Sequence, residues 1–83
     1  MFNFMGITQV KRYENNGLYL SVIRDNGRYE FALSHPLYND DKLIIIGRYD
    51  FISQAITAYD HYLDLFMSGK YPISINGYYR KGL

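Results

Sequence analysis

The sequence predicts an α+β fold: an antiparallel meander of three to four strands packed against one long α-helix and followed by a short C-terminal extended segment. Three observations lead there. Asn-Gly occurs at Asn16-Gly17, Asn26-Gly27 and Asn76-Gly77, and the positive φ values of a type I′ hairpin turn suit that dipeptide. Around the middle turn, apolar and polar residues alternate with the period of a strand. From residue 50 to 68 the period becomes that of a helix.

The central hairpin is the clearest element. A two-residue loop at Asn26-Gly27 sets Asp25 opposite Arg28, Arg24 opposite Tyr29, Val22 opposite Phe31 and Leu20 opposite Leu33. One face then reads Leu18, Leu20, Val22 with Tyr29, Phe31, Leu33, and the other Tyr19, Ser21, Ile23 with Arg28, Glu30, Ala32. Turn chemistry and alternation select the same register. Upstream, Ile7 to Tyr13 reads as a strand entering the meander through Asn16-Gly17. Phe4, Ile7, Val10 and Tyr13 also fit a short helix at a spacing of three, but the turn that follows favours the strand.

His35-Pro36 ends the third strand, and Leu37 to Asp41 reads as a polar connection. Lys42-Leu43-Ile44-Ile45-Ile46 is β-branched enough to form a fourth strand. Asp50 is the expected N-cap of the helix. Ile52, Ala55, Ile56, Tyr59, Leu63 and Phe66 form its apolar stripe, while Ser53, Thr57, Asp60, His61, Asp64 and Ser68 lie opposite. Gly69 suits the left-handed position after the helix, and Pro72 prevents resumption. Phe51, Ala58, Tyr62 and Leu65 widen the stripe beyond what one sheet face covers. The tail, Tyr71 to Ile75 turning at Asn76-Gly77 before Tyr78-Tyr79-Arg80-Lys81, is the expected cover.

At 83 residues and 9.8 kDa the chain is read as one domain spanning 1–83, with its last few residues loose. The composition, 48% hydrophobic and 20% charged, excludes intrinsic disorder, and no apolar run reaches the length of a membrane span. Met1 to Gly6 has neither the basic flank nor the apolar stretch of a signal peptide, so a cytoplasmic location is expected. There is no cysteine, which excludes disulfides and thiolate metal sites. Net charge is +1, with an acidic middle and a basic tail, too small a bias to require nucleic acid or acidic lipid as partner.

Catalytic constellations are missing. His61 is the only plausible base, beside Asp60 and Asp64 on the polar helix face. No serine stands in a strand-to-helix elbow, and no glycine-rich oxyanion loop is present. A metal site would need Asp60, His61 and Asp64 to recruit ligands such as His35, Asp40 or Asp41 from elsewhere, and no HExxH or EF-hand spacing occurs. Phosphate-cradling GxxxxGK[ST] and GxGxxG motifs are absent. The reading is therefore no enzyme, no metal and no cofactor.

What is unusual is ten tyrosines and no tryptophan. Tyr29 and Tyr59 belong on buried faces, whereas Tyr19, Tyr38, Tyr49, Tyr62, Tyr78 and Tyr79 are candidates for exposure, and a domain this small cannot bury every ring. Exposed tyrosine suits protein interfaces. The expected function is accordingly a small non-enzymatic protein-interaction module, with Tyr19, Tyr62, Tyr78, Tyr79, Arg80 and Lys81 as candidate contacts. The acidic residues Asp60 and Asp64 join them, facing a basic groove with Asp40, Asp41 and Asp50 nearby in sequence. The alternative is a nucleic-acid-binding domain in which Tyr78 and Tyr79 stack on bases while Arg80 and Lys81 neutralise phosphates. A homodimer paired through Phe51, Tyr62 and Leu65 is compatible with either. In size and element order the plan resembles the compact sheet-plus-helix inhibitors that phages and other mobile elements direct at host machinery, anti-CRISPR proteins among them. That resemblance implies an inhibitory role and carries over no individual residue.

Overall fold

The computed structural model describes residues 7–40 and 42–82. Strands β1 (Ile7–Asn15), β2 (Leu18–Asp25), β3 (Arg28–Ser34) and β4 (Ile44–Tyr49) form one antiparallel sheet in the order β1-β2-β3-β4. A one-turn helix α1 (Pro36–Asn39) links β3 to β4, and the long helix α2 (Ile52–Met67) lies across one sheet face. The chain closes with a two-stranded ribbon, β5 (Ser74–Ile75) and β6 (Tyr78–Tyr79).

The predicted hairpin register is the observed one: Leu20 pairs with Leu33, Val22 with Phe31 and Asp25 with Arg28. All three Asn-Gly turns take the expected positive φ, with Asn26 at 52° and Gly27 at 79°, and Asn76 at 45° and Gly77 at 88°. The inward residues build the core. Leu20, Val22, Phe31 and Leu33 are fully buried with Ala55 and, nearly so, with Ile44, Tyr59 and Ile75. On β1 the register shifts between Gln9 and Lys11, so a bulge at Val10 turns both Lys11 and Tyr13 toward the helix side while Gln9 and Arg12 remain on the opposite face. Lys11 then lies 4.7 Å above the Tyr59 ring and 3.8 Å from Asp60. The bulge, with charges at Lys11, Arg12 and Glu14, also blunts this free sheet edge against pairing with another chain.

Four expectations need correction. The helix starts at Ile52, because Gln54 rather than Asp50 completes the cap: its side chain accepts from the Phe51 N–H at 3.1 Å, and its own N–H donates to the Phe51 carbonyl. Asp50 instead pairs with Arg28 at 3.2 Å, bracing the end of the central hairpin. The connection after β3 contains the helical turn α1, whose N-cap is His35; its ring Nδ1 accepts the Leu37 N–H at 3.1 Å. The fourth strand runs from Ile44 to Tyr49, later than the β-branched run suggests, since α1 and the turn after it occupy the preceding residues. Tyr38 is buried rather than exposed, at 4%, because α1 turns it inward and its hydroxyl donates to the Pro72 carbonyl. Helix α2 ends as expected, with Gly69 at φ 71° and Lys70 N–H donating to the Leu65 carbonyl at 2.9 Å. Phe4 and Asp41 lie outside the described residues.

Candidate functional site

Two regions combine exposed or accessible aromatic groups with a fixed framework: the C-terminal ribbon and an aromatic cluster around His35. The ribbon is short, pairing only Ser74 with Tyr79 and Ile75 with Tyr78. A two-pair ladder is too weak to persist alone. What fixes it is attachment to the rest of the fold. Ile75 inserts into the core at 1% exposure. The Asn76 side chain donates to the Ile45 carbonyl at 2.6 Å, covering part of the outer edge of β4. Within the tail itself, the Arg80 guanidinium donates to the Tyr71 carbonyl at 2.8 Å, and the Arg80 N–H to that of Ile73 at 2.8 Å. Lys81 N–H donates to the Leu37 carbonyl at 2.8 Å, while its ammonium pairs with Asp40. That hydrogen bond and charge hold the Asp40 carboxyl below the ordinary carboxylate range. With Tyr38 bonded to Pro72, helix α1 grips the tail at both ends.

Held this way, the ribbon still turns apolar side chains to solvent. Ile73 is 63% exposed, Tyr78 42% and Tyr79 69%. Their exposure matters because they sit on backbone that is already ordered, so a partner would pay little to fix it.

The other sequence candidates are dispersed. Tyr19 lies on the sheet face opposite the helix, where its hydroxyl accepts from the Gln9 amide at 3.3 Å. Asp60 is exposed on α2 and paired with Lys11, and Asp64 is exposed one turn on. Tyr62 is half-buried against Phe31, with ring centroids 5.9 Å apart, and burial raises its hydroxyl pKa. Of the residues considered for pairing two copies, Phe51 is 68% exposed, whereas Tyr62 and Leu65 are half-buried. The eight candidates thus form no single surface; Tyr78, Tyr79, Arg80 and Lys81 stay together, and within that group the two cations bond to the protein itself.

Sequence reasoning missed Ile73 as part of the exposed group and His35 as an organising residue. His35 is 9% exposed, its ring 5.2 Å from Phe66, 5.5 Å from Tyr71 and 6.2 Å from Tyr38. Burial lowers its pKa by disfavouring the imidazolium. The signal that could have found it was His directly before Pro, an N-cap acceptor followed by proline at N1.

Among the described residues no three His, Asp or Glu side chains converge to hold a metal ion, and no helix is long and apolar enough to cross a membrane. No family model, curated protein or solved structure matches the chain.

Proposed function

We propose that this protein is a non-enzymatic protein-interaction module acting in the cytosol, which presents the exposed side chains at the tip and edge of the β5–β6 ribbon to an apolar groove on a partner protein. Inhibition of host machinery, in the manner of small sheet-plus-helix proteins of mobile elements, is the physiological form of the proposal. The observation that carries it is the combination, on and just before one short ribbon, of Ile73, Tyr78 and Tyr79, all exposed, with a framework anchored by Ile75 and six backbone or side-chain bonds. Tyrosines preorganised in this way are the usual composition of an interface hot spot.

The charge arrangement supports a protein partner over nucleic acid. Arg80 is directed into the Tyr71 carbonyl and Lys81 is paired with Asp40, so the Asp40 carboxylate partly offsets the positive charge beside Tyr78 and Tyr79 and weakens the field a phosphate would meet. Testing the proposal takes a pair of immobilised proteins, wild type and the double variant Ile73→Ser/Tyr79→Ser, offered to extract from the native host. A protein retained by the first and lost from the second, with unchanged melting temperature, supports the reading. Equal retention by both removes the ribbon from it. Salt-sensitive retention of random oligonucleotides by both forms would instead favour the nucleic-acid alternative. Light scattering completes the set: a dimer abolished by the double variant would make the partner a second copy of this chain.

A further inference from the structure

Independently of any partner, we propose that Asn76 is a self-modification site, at which intramolecular deamidation of the Asn76-Gly77 turn cuts the latch between the ribbon and the edge of β4. Asn-Gly is the dipeptide that hinders this reaction least, since glycine places no side chain beside the attacking backbone nitrogen. Two observations single out the last of the three such turns. Asn76 is exposed, and no atom lies within 4 Å of where a Gly77 side chain would begin, whereas the same position at Gly17 meets the Pro36 ring at 3.4 Å. The Asn76 amide nitrogen, the group that the reaction expels, is also the donor that holds the ribbon to β4, at 2.6 Å from the Ile45 carbonyl and 3.4 Å from that of Ile46.

Water is the only co-reactant. The Gly77 nitrogen bonds to Cγ of Asn76 and gives up its proton; the Cγ–Nδ2 bond breaks, and the side-chain nitrogen leaves with that proton as ammonia, closing a cyclic imide. Water then opens the ring. Cleavage beside Cγ leaves Asp, and cleavage beside the main-chain carbonyl leaves isoaspartate, whose backbone is one carbon longer. Nothing is oxidised or reduced.

The latch delays the reaction that would undo it. Closing the ring needs the Gly77 nitrogen on the same side of the backbone as Cβ of Asn76, whereas a type I′ turn, with positive φ at both residues, holds it nearly opposite. The turn must open first, and the hydrogen bonds from Nδ2 to β4 resist that opening. Once formed, either product is incompatible with the latch. A carboxylate has acceptors only and would face the Ile45 and Ile46 carbonyl oxygens. Isoaspartate in addition lengthens the two-residue loop of a ribbon that has only two cross-strand pairs. The same change at Asn26 would be carried by seven pairs and a buried inward face, so Asn76 is the turn at which it loosens structure.

The test incubates the folded protein, and the same chain unfolded in urea, at mildly alkaline pH, and follows residue 76 by peptide mass spectrometry that separates Asn, Asp and isoaspartate. Asn76 should convert in the unfolded chain and at least about fivefold more slowly in the folded one, the factor that one net hydrogen bond supplies. The product is then examined directly in Asn76→Asp, which keeps a residue tolerant of positive φ. Its Arg80 N–H, bonded to the Ile73 carbonyl, should exchange at least about fivefold faster than in the wild type while the β2 and β3 amides are unchanged. Asn26→Asp should leave Arg80 exchange as it was. Conversion of Asn76 at equal rates in the folded and unfolded chains, conversion in neither, unchanged Arg80 exchange in Asn76→Asp, or an equal effect of Asn26→Asp would each overturn the proposal. The wild-type kinetics decide it even if a variant misfolds.

Discussion

Two hairpins in this molecule turn on the same dipeptide and are held by opposite means. The β2–β3 hairpin runs through seven cross-strand pairs and buries its inward side chains, so the turn at Asn26-Gly27 needs only to agree with a ladder and a core that already fix the register. The β5–β6 ribbon has two pairs and would not survive in water alone. It is held by what lies outside it: one buried isoleucine, the β4 edge, and helix α1 gripping residues on either side of its turn. The lesson is that an Asn-Gly turn specifies a reversal of direction and no more. Whether a hairpin becomes scaffold or display surface depends on where its side chains go. In the first the inward set stabilises; in the second Ile75 anchors while Ile73, Tyr78 and Tyr79 stay exposed.

The comparison can be broken most strongly at Phe31, fully buried and in ring contact with Tyr59 and Tyr62. Phe31→Ala should cost about 3–5 kcal/mol and lower the unfolding midpoint of the whole domain, measured by urea denaturation. Next comes Ile75→Ala, expected to cost about 2–4 kcal/mol when both regions unfold together. Because Ile75 is the one side chain that the ribbon buries in the core, its amides should lose hydrogen-exchange protection to a greater degree than those of β2 and β3. Equal loss in both regions would mean that the ribbon unfolds only with the scaffold.

Acidification sharpens the distinction further. Burial sets the folded pKa of His35 below its ordinary 6.5, so as pH falls through that value the unfolded chain takes up the proton first. The stability that depends on the neutral ring is complete above 6.5, declines as pH drops toward the folded pKa, and then levels off. Protonation also removes the acceptor that caps α1, the element that grips the tail. Between about pH 7.5 and about pH 5.5 the melting temperature should therefore fall, with Arg80 and Lys81 amides losing protection before those of the central hairpin. The smallest effect is expected at Tyr79, 69% exposed: Tyr79→Ala should change stability by less than about 0.5 kcal/mol while weakening partner capture.

The same contrast explains what was legible in the sequence. The register from Leu20 opposite Leu33 to Asp25 opposite Arg28 could be read because it is set locally, by a turn and an alternation that reinforce each other. The C-terminal turn could be read for the same reason. How the ribbon is held could not, since Tyr38 to Pro72, Lys81 to Asp40 and Asn76 to Ile45 join residues more than thirty positions apart and leave no periodic trace. Arg80 and Lys81 read as free cations beside aromatic rings only because their internal acceptors, a backbone carbonyl and a distant carboxylate, have no sequence signature. At the helix start the local rule favoured Asp50, but Gln54 supplied the competing cap and Arg28 claimed the carboxylate.

The most direct measurement is native-state hydrogen exchange at the Arg80 and Lys81 amides, which donate to Ile73 and Leu37. If the ribbon is a fixed platform for its exposed rings, both should exchange at least about a hundredfold more slowly than in an unstructured peptide at neutral pH. Exchange at the unstructured rate, with the central hairpin fully protected, would show a tail that is not held and would contradict the account.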